Sequence, residues 1–162
     1  KARIHGLDLS GHMPLAQNSW GQWGVKGLLN LTRGKNLDTG DGLVNTMPVN
    51  AKLTLTQKQG GWNNSAELVM VGAKTHVSTV RNEVVTPGYA LLHLRGSYSW
   101  GAVRLDFGIE NLFDRLYHLP TGGAYAGQGT TMSNPSLPNY PQWGTAVPGM
   151  GRTLYAGVNV TF

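Results

Sequence analysis

The chain of 162 residues contains no cysteine. That removes disulfides and thiolate metal sites but does not identify a compartment. Charge is also sparse, with Asp, Glu, Lys and Arg making up 13% of residues. No apolar run approaches the roughly 18 residues of a membrane-crossing helix, and no long stretch keeps a helical period. A β-barrel is not excluded by this, because its strands alternate and never form a long apolar run. The net charge of +5 would suit an anionic partner. The basic residues are scattered singly, however, with no stripe or cluster, so they read as solvated lumen and loop charge and no nucleic-acid partner is expected.

What the sequence does have is period-two alternation. In Arg152–Phe162, Leu154, Ala156, Val158, Val160 and Phe162 alternate with Thr153, Tyr155, Gly157, Asn159 and Thr161, the pattern of a strand with one apolar face. Its length is that of a transmembrane β-strand, about 9–11 residues. Six further strands are predicted: Lys1 to about Leu9, Gln22 to Arg33, Val49 to Lys58, Trp62 to about His76, Tyr89 to Trp100, and Ala102 to about Phe113. In the first, Ala2, Ile4 and Gly6 take one parity and Lys1, Arg3 and His5 the other. In the fourth, alternation blurs because Val69 and Val71 share parity with Glu67.

Tight turns are expected at Gln59-Gly60-Gly61 and Gly101, an intermediate connection at Ser10–Gly21, and long loops at Thr32–Pro48, Val77–Pro87 and Leu116–Gly151. Short turns on one side and long loops on the other form the layout of an antiparallel outer-membrane β-barrel, with short turns periplasmic. Trp23, Trp62, Tyr98, Trp100 and Phe162 all fall on the apolar parity at the short-turn edge, where a lipid-facing aromatic girdle belongs. Parity assigns Leu92, Leu94, Leu105, Phe107, Ile109, Leu154, Val158 and Val160 to the outer face. Lys52, His93, Arg95, Arg104, Asp106, Glu110 and Asn159 go to the inner one. Outer-membrane lipid is thus an expected partner, and the bacterial outer membrane the expected location. Seven strands do not close a bacterial barrel, which has an even number. The alternatives are a portion of a larger barrel, or a complete small eight-stranded one, adhesin-like or enzymatic, with a strand missed. A soluble eight-stranded ligand-binding barrel is a third reading, opposed by the outward aromatic edge. No signal peptide opens the chain, so a processed chain or a fragment is expected.

Two motifs favour the larger barrel. Gly108-Ile-Glu-Asn-Leu-Phe-Asp-Arg-Leu-Tyr117 resembles the "eNLFDkkY" signature of the penultimate barrel strand of TonB-dependent receptors. Pro148-Gly-Met-Gly-Arg152 before the terminal strand resembles the family's closing "PGR", with Met150-Gly151 inserted. Met47-Pro48 before a clean strand fits more weakly. The resemblance spans the chain and is sharpest over Thr86–Phe162. It implies that residues 1–162 are the C-terminal portion, about seven strands, of a barrel of about 22 strands. The partners it implies are the missing N-terminal barrel and plug of the same receptor, and the TonB complex reached through that absent plug. It further implies active transport of a metal chelate of siderophore type or a similar scarce nutrient, with no enzymatic activity and no cofactor; cobalamin and copper are other family substrates. Physically, Asn111 and Asp114 are expected to bond nearby backbone in Asx-type turns, with Leu112, Phe113 and Tyr117 anchoring the loop root.

Other chemistry is weak. His5, His12, His76, His93 and His118 form no pair with metal-ligand spacing; a soft-metal site is the minor alternative to solvated side chains, and no metal site is assigned. His93, Arg95, Arg104, Asp106 and Glu110 share a face, as a cross-strand charge ladder or, less simply, a proton-transfer cluster. Gly122–Gly129 follows no buried strand and opens no helix, so it is not a phosphate loop. The long loop is rich in Gly, Pro and aromatics, and its candidate ligand contacts are Tyr125, Tyr140, Trp143 and His118; self-packing of the loop is the alternative.

Overall fold

The computed structural model describes residues 1–81, 83–122, 124–125 and 145–162. Among these residues nine strands appear in chain order: β1 (Ala2–Asn18), β2 (Gly21–Asn36), β3 (Asn50–Gln59), β4 (Trp62–Val71), β5 (Tyr89–Trp100), β6 (Val103–Glu110), β7 (Ala124–Tyr125), β8 (Thr145–Ala146) and β9 (Thr153–Val160). Seven of them form one antiparallel sheet in the order β1-β2-β3-β4-β5-β6-β9, and β7 pairs with β8 separately. β1 and β9 do not pair with each other. Among the described residues the sheet is therefore open between β1 and β9 and does not form a closed eight-stranded barrel.

The alternating layout follows from the connections. Ser19-Trp20, Gly60-Gly61 and Gly101-Ala102 turn at one edge, while β2 to β3, β4 to β5 and β6 to β9 are connected from the other, through residues 37–49, 72–88 and the described stem residues 111–122 and 145–152. Gly60 and Gly101 sit at φ 55° and 54°, the left-handed conformation that two-residue hairpins require and glycine supplies without steric penalty.

β1 differs from expectation. It continues through the segment expected to be an intermediate connection and reaches Asn18, pairing with β2 along its whole length. The register shifts between Pro14 and Ala16, where a bulge at Leu15 moves the count by one residue near the end of the strand. Its faces also differ. Pairing to β2 sets Arg3 opposite Lys35 and His5 opposite Arg33, on the face of Leu7, Leu9, Leu29 and Leu31; Ile4 shares the opposite face with Asp8. The reason is height: an outward face is apolar only across the band between the two rims, and polar beyond it.

Along the rest of the sheet the expected faces hold. The register rows Lys52–Val69–Leu91 and Thr54–Glu67–His93 lie on one face. Trp23–Gln57–Asn64–Gly96–Phe107–Ala156 is one row of the other. Leu154 is 72% exposed and Val158 65%, so these side chains are not packed in a dry interior. At the short-turn edge Trp62 lies 4.8 Å from Tyr98 and 6.3 Å from Phe107, and Tyr98 lies 5.6 Å from Trp100, centroid to centroid. Three of the five girdle residues, Trp62, Tyr98 and Trp100, are thus joined with Phe107 in a contact network, each pair worth about 0.5–1.5 kcal/mol beyond its buried area. Beside it, Phe107 covers Gly96: a Cβ added at Gly96 would lie 2.5 Å from the ring and 2.9 Å from Asn64 Oδ1.

β4 ends at Val71, short of the expected His76, because the chain leaves the ladder to build the loops. The blurred alternation there has a purpose. Val71 and Leu91 are buried on the polar-parity face near Tyr89, whose ring lies 4.6 Å from that of Tyr117. This small apolar core seats the long loops.

Candidate functional site

The face opposite the aromatic girdle carries a charged wall. Arg95 of β5 reaches two strands. Its Nε and Nη2 donate to the two oxygens of Glu110, at 2.9 and 3.1 Å, and its Nη1 donates to Glu67 at 3.0 Å. The bidentate geometry matches the guanidinium fork. His93 Nδ1 contacts Glu110 and also lies 3.1 Å from the backbone N of Asn111. A neutral ring accepts from that N–H, whereas a protonated one donates to Glu110. Arg104, Asp106 and Asn159 form a second group, with Asn159 Nδ2 donating to Asp106 at 2.7 Å. The expected cluster is therefore two groups: Arg95 and His93 pair across strands with Glu67 and Glu110, whereas Arg104 pairs with Asp106 within β6 and Asn159 reaches Asp106 across from β9. Among the described residues, no three His, Asp or Glu side chains converge in a way that would hold a metal ion.

The signature residues staple the longest loop. Asn111 is buried and takes φ 51°. Its side chain accepts from Arg115 N at 2.9 Å and donates to the carbonyls of Arg115 at 2.9 Å and Met150 at 3.2 Å. Asp114 Oδ1 accepts from Arg152 N at 2.8 Å. The expected Asx-type turn is present, and it does more than expected: Asn111 and Asp114 each bind the start of the loop to its end. Tyr117 anchors the root through Tyr89, but Phe113 and Leu116 are each 75% exposed. Phe113 is not an anchor, because the turn at Asn111–Asp114 swings it out of the ladder.

Above this root the loop is zipped. Leu119 N donates to Val147 O at 2.8 Å, Gly149 N to Tyr117 O at 2.9 Å, and His118 bridges Pro148; β7 and β8 extend the pairing. Of the four candidate contacts, His118 is half-buried in this zipper. The backbone of Tyr125 pairs with Thr145, while Tyr140 and Trp143 lie outside the described residues.

Sequence reasoning missed a third site. Lys74, 2% exposed, forms an ion pair with Glu83 and donates from Nζ to Pro120 O at 2.8 Å. Glu83 also accepts from the backbone N of Asn45 and of Ser78, each at 2.8 Å. Burial alone raises the Glu83 carboxyl, but the bonds from Lys74, Ser78 and Asn45 and the Lys74 charge outweigh it, so its pKa lies below the ordinary value. No periodicity or spacing marks these residues; a lysine between Ala73 and Thr75 looks solvated.

Comparison with known proteins gives a consistent picture. A family model described as TonB dependent receptor-like, beta-barrel, matches residues 1–112. Heme/hemopexin utilization protein C of Haemophilus influenzae is 36% identical over 100 residues, covering 53% of this chain and 13% of that protein. The solved structure of copper transporter OprC superposes with TM-score 0.83 at 26% identity, over 99% of this chain and 24% of the other. The ferric yersiniabactin uptake receptor FyuA of Yersinia pestis superposes with TM-score 0.65 at 18% identity, again over 99% and 24%. The chain thus spans about an eighth of the curated relative and about a quarter of each solved structure.

Proposed function

This chain belongs to the TonB-dependent receptor β-barrel family, and from that premise we propose that it is the C-terminal part of the barrel wall of an outer-membrane active transporter. The transported ligand is a metal chelate of siderophore type or a similar scarce nutrient. The role is transport, not catalysis. The aromatic edge faces the periplasmic interface, and residues 37–49, 72–88 and 111–152 are extracellular loops. The Arg95–Glu110–Glu67 wall faces the lumen, where the plug from the N-terminal part of the receptor sits and couples to the TonB complex.

The observation that carries this reading is the two-faced sheet, with exposed Leu and Val on one side and register-matched ion pairs on the other. Lipid favours the first face and a wide aqueous lumen the second. The relatives' names refer to heme utilization, copper transport and ferric yersiniabactin uptake, which supports a metal-bearing cargo without naming one. Tyr125, Tyr140, Trp143 and His118 belong to the loop assigned to ligand contact, whose rings suit the flat apolar surface of a chelate. The test is uptake of labelled heme, copper and ferric siderophores by cells whose only such receptor is the full-length protein containing this chain. Accumulation of one of them, abolished by deleting TonB, is expected. Surface-expressed receptor with no TonB-dependent accumulation of any of them would refute the proposal.

A further inference from the structure

We infer that the buried Lys74–Glu83 ion pair is a latch that ties the first two long connections to the described stem of the third, around Pro120, and thereby holds the base of the proposed ligand-binding loop in place. The inference rests on the transport reading above. Both are positioning residues, because their charged ends face protein and not the open mouth: their side chains are 1% and 9% exposed.

The pair gathers all three connections. Asn45 comes from the first, Lys74, Ser78 and Glu83 from the second, and Pro120 from the third. The first two are also joined elsewhere, by Gly42 N to Val77 O at 3.2 Å and by Thr79 to Asp41. Lys74 Nζ to Pro120 O is the one hydrogen bond among the described residues that joins the second connection to the third. The latch cannot slacken easily. Two backbone bonds to Thr86, at 2.9 and 3.3 Å, fix Lys74 where it stands, and a charge this buried has no water to fall back on. The site is also specific for sign. The cation meets a carbonyl, and the anion meets two N–H groups.

That polarity shapes the experiment. In the full-length receptor, Lys74→Met, Glu83→Gln and the swapped double variant Lys74→Glu/Glu83→Lys are compared with wild type. Amide hydrogen exchange of the segments around Asn45, Ser78 and Pro120 is measured without ligand. Affinity for the chelate that wild-type cells take up is measured on intact cells, with heat-modifiable migration as the control for barrel folding. All variants are expected to keep a folded barrel, exchange faster in all three segments and lose roughly tenfold in affinity, within the range of ordinary coupling between sites. The swap is expected to give no rescue, since it sets a carboxylate against the Pro120 carbonyl and an ammonium against two N–H groups. Wild-type exchange in the single variants, or restored protection in the swap, would overturn the latch. Should the variants fail to fold, the unmutated receptor decides the matter. Exchange at Asn45 and Ser78, corrected for intrinsic rate, must accelerate as acid protonates Glu83, and a flat profile overturns the inference. A wild-type receptor that takes up no chelate refutes the transport reading instead, and the exchange data still judge the latch.

Discussion

An arginine placed at Val158 should block assembly of the intact receptor, while one at the adjacent Asn159 should not. Val158 pairs with Leu105, and Asn159 with Arg104, on opposite faces of β9 and β6. Val158 stands four positions before Phe162 at the aromatic rim. That is about 13 Å along a strand at 3.3 Å per residue, or roughly 10 Å along the membrane normal at barrel tilt. The apolar band is about 25 Å tall, so Val158 lies near its middle, where a lipid-facing Arg costs about 2–4 kcal/mol. Each 1.4 kcal/mol is tenfold, so the ratio of assembled to unassembled receptor should fall roughly 30- to 1,000-fold in equilibrium terms. At Asn159 the new guanidinium meets the Asp106 carboxylate that Asn159 already contacts; an exposed pair of this kind is worth at most about 1 kcal/mol. Leu154, higher in the band, should respond less than Val158 and more than Asn159. The assay is heat-modifiable gel migration of membrane-extracted receptor, normalised to total protein. Equal assembly of the Val158→Arg and Asn159→Arg receptors would refute the assignment of faces.

Gly96→Ala should destabilise the sheet by about 1–3 kcal/mol, because the added methyl runs into the Phe107 ring. Phe107→Leu should recover part of the loss in the double variant, and denaturant unfolding in detergent reads both; additive losses would mean the contact is not the cause. Loop order in the wild-type protein should persist at neutral pH. The Glu83 pKa is depressed, so its contribution is complete above the ordinary carboxylate value and lost as pH falls through the lowered one. Protease nicking near residues 78–83 should therefore appear only under acid conditions; nicking that peaks at neutral pH contradicts the sign. Deleting residues 122–139 should weaken ligand affinity on cells at unchanged surface expression, and unchanged affinity would make the loop a packing lid only.

Strand parity was legible because a barrel wall repeats one rule, so Leu92 to Ile109 and His93 to Glu110 separate by counting alone. Legibility failed where a second force acted. At Pro14–Ala16 a bulge shifts the count by one residue. At Arg3 and His5 the outward face leaves the apolar band, so the rule inverts. At Val69–Val71 the inner face is apolar because loops, not water, cover it. The signature residues Asn111 and Asp114 were legible as turn formers, since both types bond locally and tolerate positive φ. Their reach to Met150 and Arg152 was not, because it depends on where a long loop returns. Lys74 and Glu83 were the least visible, since a buried ion pair between loops carries no period, and only their placement shows that water is absent.

The unjoined β1 and β9 have a consequence in the language of polymer chemistry. Among the described residues neither edge strand has a second strand beside it, so each edge can offer backbone N–H and C=O groups for pairing and the isolated chain is a bifunctional monomer whose two ends differ. β1 offers Ala2–Asn18, far longer than the Thr153–Val160 of β9. Copies of such a monomer can join head to tail, and each addition leaves the same two ends exposed, so growth stops only when a ring closes. Covalent attachment to further strands changes the outcome without changing any contact, because tethered edges meet at an effective concentration in the millimolar range. The isolated piece should accordingly give concentration-dependent ladders of oligomers, and dilution should favour the shortest of them.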